Sequence, residues 1–342
     1  MSKHVFIVTH SDAGERLDRF LAGQLPDLSR TRVQELIAEG RAQVDGKAAK
    51  ASRRVQRGER VELEAAPRPP LRAEAEAIPL DVLFEDRDVV VVNKPAGMVV
   101  HAGAGKASQH GTLVNALLGR YTKLSAGSEA GGLRPGIVHR LDKETSGCIV
   151  VARNDAAHAS LADQFQARTV KKTYIALVHG AIAQASGKIG YPIERDPKRR
   201  IRMTTRTTPS ARARAASTGW RVLLRMLPEG AKPRGGFSLV EVELHTGRTH
   251  QIRVHFSAVQ HPIVGDTLYE APARVAIGGA ALPPLGRNFL HAARIRFQHP
   301  AKDELVDVRA PLAPELTEYL QQMARACGVT REQIDAAAGD YL

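Results

Sequence analysis

Two blocks of helix and strand signals, separated by a proline-rich stretch, predict a protein of mixed α and β class built in two parts. Three observations carry this. Apolar residues recur at helical spacing in GERLDRFLAGQL and RTRVQELIAEG near the start of the chain. The run Val89-Val90-Val91-Val92 has the composition of a buried strand. Phe237 to His245, FSLVEVELH, alternates strictly, with Val240, Val242 and Leu244 on one face and Glu241 and Glu243 on the other.

The first part spans residues 14–64. Leu17, Phe20, Leu21 and Leu25 mark one helix that Pro26 ends. Ser29 can cap a second, with Val33, Leu36 and Ile37 on its apolar face and Gly40 as its stop. A short strand at Ala42–Val44, an Asp45-Gly46 turn and a strand around Val61–Leu63 complete the module. Its core is marginal, as expected of an appended binder. Residues 65–77, rich in Pro, Ala and charge, read as a linker. The remaining signals fill a larger domain over residues 78–320, and 321–342 are expected to be a peripheral tail.

Within the larger block, NKPAG follows the Val89–Val92 strand as a turn, and Val99-Val100 should start another strand. HGTLVNALLGRY and Ala156–Gln166 read as helices, and Arg168–Val178 as a strand. A helix should start near Thr249, a strand should run through Leu290–Phe297, and a last helix should span Pro314 to Cys327.

Charge narrows the function. The 342 residues carry a net charge of +13, which points to a polyanionic partner, nucleic acid before membrane. No apolar run approaches a membrane span, and the first residues lack signal-peptide architecture. Two cysteines far apart, Cys148 and Cys327, exclude a disulfide framework and fit a reducing, cytoplasmic setting. Aromatics at 4% argue against a surface that grips single strands mainly by stacking, so phosphate contact should dominate. Arg195–Arg214 is the most basic segment, with Asp196 as its opposing charge, and reads as phosphate-contacting.

The stretch HRLDKETSG, His139–Gly147, is a polar loop between two apolar strand-like runs. Asp142 lies between Arg140 and Lys143, a setting that suits a nucleophile or base; equally, Asp-x-x-Thr followed by Ser-Gly is good turn chemistry. Tyr174, beside Lys171 and Lys172, could be a core aromatic or a site residue. His101–Ser108 fails as a Walker loop, because Val100 stands where its first Gly should be and Ala107 where Ser or Thr should hold magnesium. His245, His250 and His255 recur every five residues, which aligns them on neither a helix nor a strand face, so no metal site is expected.

GERLDRFLA, SRTRVQELIAEGRAQVDGK and GERVEL resemble the small RNA-binding domain first recognised in ribosomal small-subunit protein four, which implicates Arg30, Arg32, Arg41 and Lys47 in RNA contact. NKPAGMVVHAG, GIVHRLDKETSGCIVVAR, VKKTYIALVHG, LHTGRTHQIRVHF and HPIVGDTLY, in that order, resemble the RluA/RluD family of pseudouridine synthases, from about Ile78 to Leu320. This resemblance implies an α+β fold, a mixed and mainly antiparallel sheet with flanking helices and a central cleft. The implied reaction breaks the glycosidic bond of a uridine, turns the base and rejoins it to the ribose through carbon, without a cofactor. The subgroup acting on large-subunit ribosomal RNA is the best match, with transfer RNA as an alternative substrate. Asp142 matches the family's catalytic aspartate and Tyr174 its active-site tyrosine. Arg253 matches the arginine that pairs with the carboxylate, with Arg248 a neighbouring candidate. His139, Arg140, Leu141, Thr145 and Gly147 form the active-site loop, and Lys94, Lys171, Arg199, Arg200, Arg202 and Arg248 join the RNA contacts. A monomer is expected. The competing reading is a non-catalytic RNA-binding assembly factor, which would not require Asp142, Tyr174 and Arg253 together.

Overall fold

The computed structural model describes residues 2–26, 28, 30–65, 73–102, 110–122, 124–125, 134–206 and 210–342. Ser29, most of the expected linker and most of the glycine-rich stretch after His101 lie outside them. Residue contacts divide the chain into Met1–Leu71 and Arg72–Leu342.

The small unit begins before the expected boundary at Gly14. Strand β1 (Ser2–Ile7) precedes helices α1 (Leu17–Gln24) and α2 (Arg30–Ala38), followed by β2 (Ala42–Val44), β3 (Lys47–Ala48) and β4 (Arg60–Ala65). They form a four-stranded sheet in the order β1-β4-β2-β3. Strand β1 gives little sequence signal because its apolar residues Val5 and Ile7 point to solvent. Leu17, Leu21, Val33 and Leu36 from the helices pack on Val44, Val61 and Leu63. Asp45 and Gly46 both take positive φ, which suits the tight turn between β2 and β3.

The large unit opens with β5 (Asp81–Glu85), β6 (Val89–Lys94), helix α3 (Leu113–Arg120), β7 (Ser146–Ala152), α4 (Asp155–Ala167) and β8 (Lys171–His179). Strand β9 (Ser186–Ile189) follows, then the hairpin β10 (Ile193–Arg195) and β11 (Met203–Thr205), and then β12 (Thr218–Met226), β13 (Phe237–Leu244) and α5 (Gln251–Ala258). After the short pair β14 (Ala276–Ile277) and β15 (Ala280–Ala281) come β16 (Leu290–Gln298), β17 (Leu305–Arg309), α6 (Pro314–Ala326) and α7 (Arg331–Ala338).

A nine-stranded sheet runs β5-β6-β7-β16-β8-β13-β12-β9, with β17 paired to β16. Its one parallel pair is β7 with β16, and the other pairs are antiparallel. Side-chain alternation sends Val90, Val92, Ile149 and Val151 into a core shared with α3 and α6, and Val89, Val91, Cys148 and Val150 into a second core with α4. Gly147 sits where β7 meets β16 at φ 111°, and a Cβ there would lie 2.3 Å from the Ala292 carbonyl. Its role is this close approach within a strand, not the expected turn.

Three expectations are corrected. Val99 and Val100 start no strand; their carbonyls accept the first N–H groups of α3, from Leu113 at 2.9 Å and Val114 at 3.1 Å. The end of the linker is anchored, since Asn115 Nδ2 donates to the Glu74 carbonyl at 2.7 Å and a Cβ on Gly119 would lie 2.1 Å from Glu76 O. Residues 321–342 are not peripheral: Met323, Ala324, Cys327, Ile334, Ala338 and Tyr341 complete the main core. Thr330 and Gln333 form a capping box at the start of α7, a signal present in the sequence.

Candidate active site

The HRLD loop enters the buried strand β7, and the residues around it fix its shape. Thr145 N–H donates to the Asp142 carbonyl at 3.1 Å, so the main chain closes the turn and the Asp142 side chain takes a different direction. On one flank Lys94, fully buried, directs Nζ to the carbonyls of Pro95, Met98 and Lys143 at 2.7, 2.9 and 3.1 Å. Those acceptors match the three N–H bonds of an ammonium, although burial and the nearby Arg287 push its pKa down to about 7. Lys94 is therefore a brace for the loop, which corrects its expected place among the RNA contacts. On the other flank Arg287 donates to the Glu144 carbonyl and to Ser146 Oγ, both at 2.9 Å. His139 accepts the Val150 N–H through Nε2 at 3.0 Å, stacks on Phe165, and burial pushes its pKa down to about 3. Leu141 and Thr145 are buried, and Arg140 is exposed at the cavity rim.

Helix α5 faces this loop. The segment before it is ordered by Gln251, whose Oε1 accepts from Thr246 Oγ1 at 2.7 Å and from the Arg248 N–H at 3.0 Å. On the first turn Arg253 reaches Asp142, Nη1 to Oδ2, at 3.4 Å. Arg248 instead donates Nε to the Ala215 carbonyl at 3.3 Å, so Arg253 is the arginine that meets Asp142. Its guanidinium is held by Asp266, Nε to Oδ2 at 2.6 Å and Nη2 to Oδ1 at 2.8 Å. Burial weighs against the Arg253 charge, but Asp266 and Asp142 outweigh it and raise its pKa. Asp142 retains 18% side-chain exposure, against 10% for Arg253 and 2% for Asp266.

Asp142, Tyr174 and Arg253 line one cavity of about 420 Å³, with Arg140, Lys172 and Arg248. Tyr174 comes from β8, and burial followed by the Asp142 charge pushes its hydroxyl pKa up, so it is a neutral phenol. The arrangement offers a carboxylate fixed by a buried cation, an aromatic face and a cationic rim, a set able to hold a flipped base near a nucleophile.

The other expected contacts divide. Lys171 is exposed 3.7 Å from Glu243, and Arg199 and Arg200 are exposed on the β10–β11 hairpin. Arg202 is bound to Asp196 and Glu270, and Arg206 to Glu194, so more acids oppose this segment than Asp196 alone. In the small unit Arg30 pairs with the buried Asp18, Arg32 with Glu35 and Glu39, and Arg41 with Glu39, while Lys47 is exposed. Of the three histidines, His245 is exposed, His255 is buried between Thr218 and Tyr191, and His250 faces Asp142. Among the described residues, Asp86, Asp88 and His299 have ligand-like spacing, but they do not line the cavity, and Lys302 and Asn154 already bond their carboxylates. No helix among the described residues is long and apolar enough to cross a membrane.

Asp266 and Tyr269 both lie in HPIVGDTLY, where neither residue type nor spacing ties them to a site. Residues 88–258 match the family model for RNA pseudouridylate synthase, and residues 15–61 match the S4 domain. An uncharacterized RNA pseudouridine synthase of Chloroflexus aurantiacus is 46% identical over 321 residues, 94% of each chain. Ribosomal large subunit pseudouridine synthase D of Xanthomonas campestris pv. campestris is 39% identical over 334 residues, 95% of each chain. The solved structure of human RNA pseudouridylate synthase domain containing 1 is similar with 29% identity and a TM-score of 0.54, over 75% of this chain and 97% of its own.

Proposed function

This chain belongs to the RNA pseudouridylate synthase family and is an RNA pseudouridine synthase with an S4 domain; on that premise we propose that it modifies large-subunit ribosomal RNA and that Asp142 is its catalytic carboxylate. The observation that carries the second claim is the contact of Asp142 with Arg253, itself locked by Asp266, at the wall of a cavity that Tyr174 also lines.

The target uridine is flipped out of its helix, because its reacting atoms are closed off within stacked RNA. Asp142 acts as nucleophile or base toward the ribose while Arg253 keeps it oriented. The N1–C1′ bond breaks, the base turns, the C5–C1′ bond forms, and the proton leaves C5 while N1 gains one. Atoms and electrons balance, so no cofactor is required. Tyr174, a neutral phenol, offers its ring to the base and its hydroxyl for proton movement. Exposed Arg140 and Arg248 contact phosphate at the cavity, exposed Lys171, Arg199 and Arg200 add cationic contacts elsewhere on the same unit, and Lys47 contributes from the S4 domain. The protein works in the cytoplasm as a monomer.

Support for the large-subunit substrate comes from relatives named for that substrate, which resemble this chain along nearly its full length. The test supplies large-subunit, small-subunit and transfer RNA, each lacking pseudouridine and carrying tritium at uridine C5. Release from large-subunit RNA alone is expected; release from transfer RNA alone would overturn the substrate assignment.

A further inference from the structure

The segment after α5 sends two side chains back toward the site. Asp266 holds Arg253, and Tyr269 holds His250. His250 Nε2 lies 3.9 Å from Asp142 Oδ2, and its Nδ1 lies 2.8 Å from the Tyr269 hydroxyl. The two rings meet edge to face with centroids 5.6 Å apart. The Met203 N–H donates to the same hydroxyl oxygen at 2.8 Å. With its oxygen already accepting, the hydroxyl has its own proton left to give to Nδ1. An Nδ1 that accepts leaves the ring proton on Nε2, the nitrogen that faces Asp142.

The surroundings hold this arrangement in place. Burial pushes the Tyr269 hydroxyl up to about 12 and the His250 imidazole down, so the phenol keeps its proton and the ring stays neutral near pH 7. His250 also occupies the left-handed region at φ 54° just before α5, and its side chain makes no cap bond to that helix. A non-glycine residue there is strained, and its surroundings must hold it in place. The hairpin supplying Met203 is itself fixed, because Ile193 and Met203 pack with Val254 and Tyr269.

We propose that His250 is a positioning residue: a neutral Nε2–H donor, its tautomer set by the Met203 amide through Tyr269, that steadies Asp142 Oδ2 beside Arg253 and leaves Oδ1 for the substrate. The proposal rests on Asp142 being the reacting carboxylate. Both neighbours address Oδ2, Arg253 at 3.4 Å and His250 at 3.9 Å, so a small closure on substrate completes the second hydrogen bond. A neutral donor orients the carboxylate without placing a second positive charge against it.

The test uses the full chain, with imidazole nitrogens labelled by ¹⁵N, and the variants His250→Gln, His250→Leu and Tyr269→Phe. Long-range ¹H–¹⁵N spectra should show His250 protonated on Nε2 and bare on Nδ1, and Tyr269→Phe should disturb that pattern. In single-turnover tritium release, His250→Leu should slow the reaction roughly 10- to 100-fold, as expected for loss of a hydrogen bond to a charged group, with RNA affinity unchanged. His250→Gln, which returns an N–H near the Nε2 position, should recover most of the rate. A wild-type ring protonated on Nδ1, a fast Leu variant, or Gln as slow as Leu would each overturn the proposal. A wild type silent on every RNA would count against the reading of Asp142, and the ring spectrum would then decide the tautomer by itself.

Discussion

Asp266→Asn isolates the support behind the candidate carboxylate. Asp266 accepts from Arg253 at 2.6 and 2.8 Å with both side chains nearly enclosed. The amide keeps one acceptor and turns its NH₂ against a guanidinium N–H, so one charged bond is lost and a buried cation keeps Asp142 as its remaining anionic partner. Breaking a buried pair costs ~3–5 kcal/mol, and the surviving bond places this variant near 3 kcal/mol. The freed guanidinium should also shift toward Asp142, and a misplacement of about 1 Å costs roughly 100-fold in rate. Urea unfolding followed by circular dichroism reads the first effect, and single-turnover tritium release at saturating RNA reads the second. A stability change below about 1 kcal/mol together with a rate within roughly threefold of wild type would refute the reasoning.

Lys94→Met should destabilise the chain by about 3 kcal/mol in urea unfolding, because it removes the buried ammonium that ties together the carbonyls of Pro95, Met98 and Lys143, while RNA affinity of the folded fraction stays unchanged; lost affinity with intact stability would restore Lys94 to the RNA contacts. Burial pushes buried His291 down to about 4, so the unfolded chain binds more protons between that value and the ordinary 6.5, and the associated stability is complete above pH 6.5 and lost as pH falls toward 4. Unfolding at pH 7 and pH 5 should differ by about 2 kcal/mol from this group, a slope that His291→Gln removes and that would count against a neutral buried ring if the substitution left it intact. Deleting residues 1–71 should leave the melting transition of the larger unit in place, whereas deleting 1–77 removes the Glu74 and Glu76 partners of Asn115 and should lower it; equal transitions would show that these contacts do not matter.

Much of the candidate site was legible through the family resemblance, since residue type and spacing alone left Asp142 between a nucleophile and a turn residue and Tyr174 between the core and a site. HRLDKETSG, VKKTYIALVHG and GRTHQIR supply Asp142, Tyr174 and Arg253, which the structure gathers at one cavity. The choice between Arg253 and Arg248 needed the helix start at Gln251, which turns the former inward. Asp266 and Tyr269 lay within a quoted motif without a role, since their partners are fixed by the fold. Lys94 misled because a lysine in a turn reads as a surface cation, and the carbonyls that enclose it come together only when the HRLD loop docks. The same holds for Arg287, whose bonds to the Glu144 carbonyl and Ser146 Oγ form only across the fold. In the fold, helices with strong apolar spacing were readable. Strand β1 was not, with its exposed valine and isoleucine; α7 carries its Thr330–Gln333 capping box in the sequence, but its contribution to the core appears only when Ile334 and Ala338 meet α6 and the sheet.

The central claim, that Asp142 carries the reaction, is tested most directly by single-turnover tritium release from pseudouridine-free large-subunit ribosomal RNA, comparing wild type with Asp142→Asn. The substitution preserves volume, and the proposed phosphate contacts lie elsewhere, so RNA affinity should remain near wild type while release falls to background. Release by the Asn variant at a rate comparable to wild type would contradict the account.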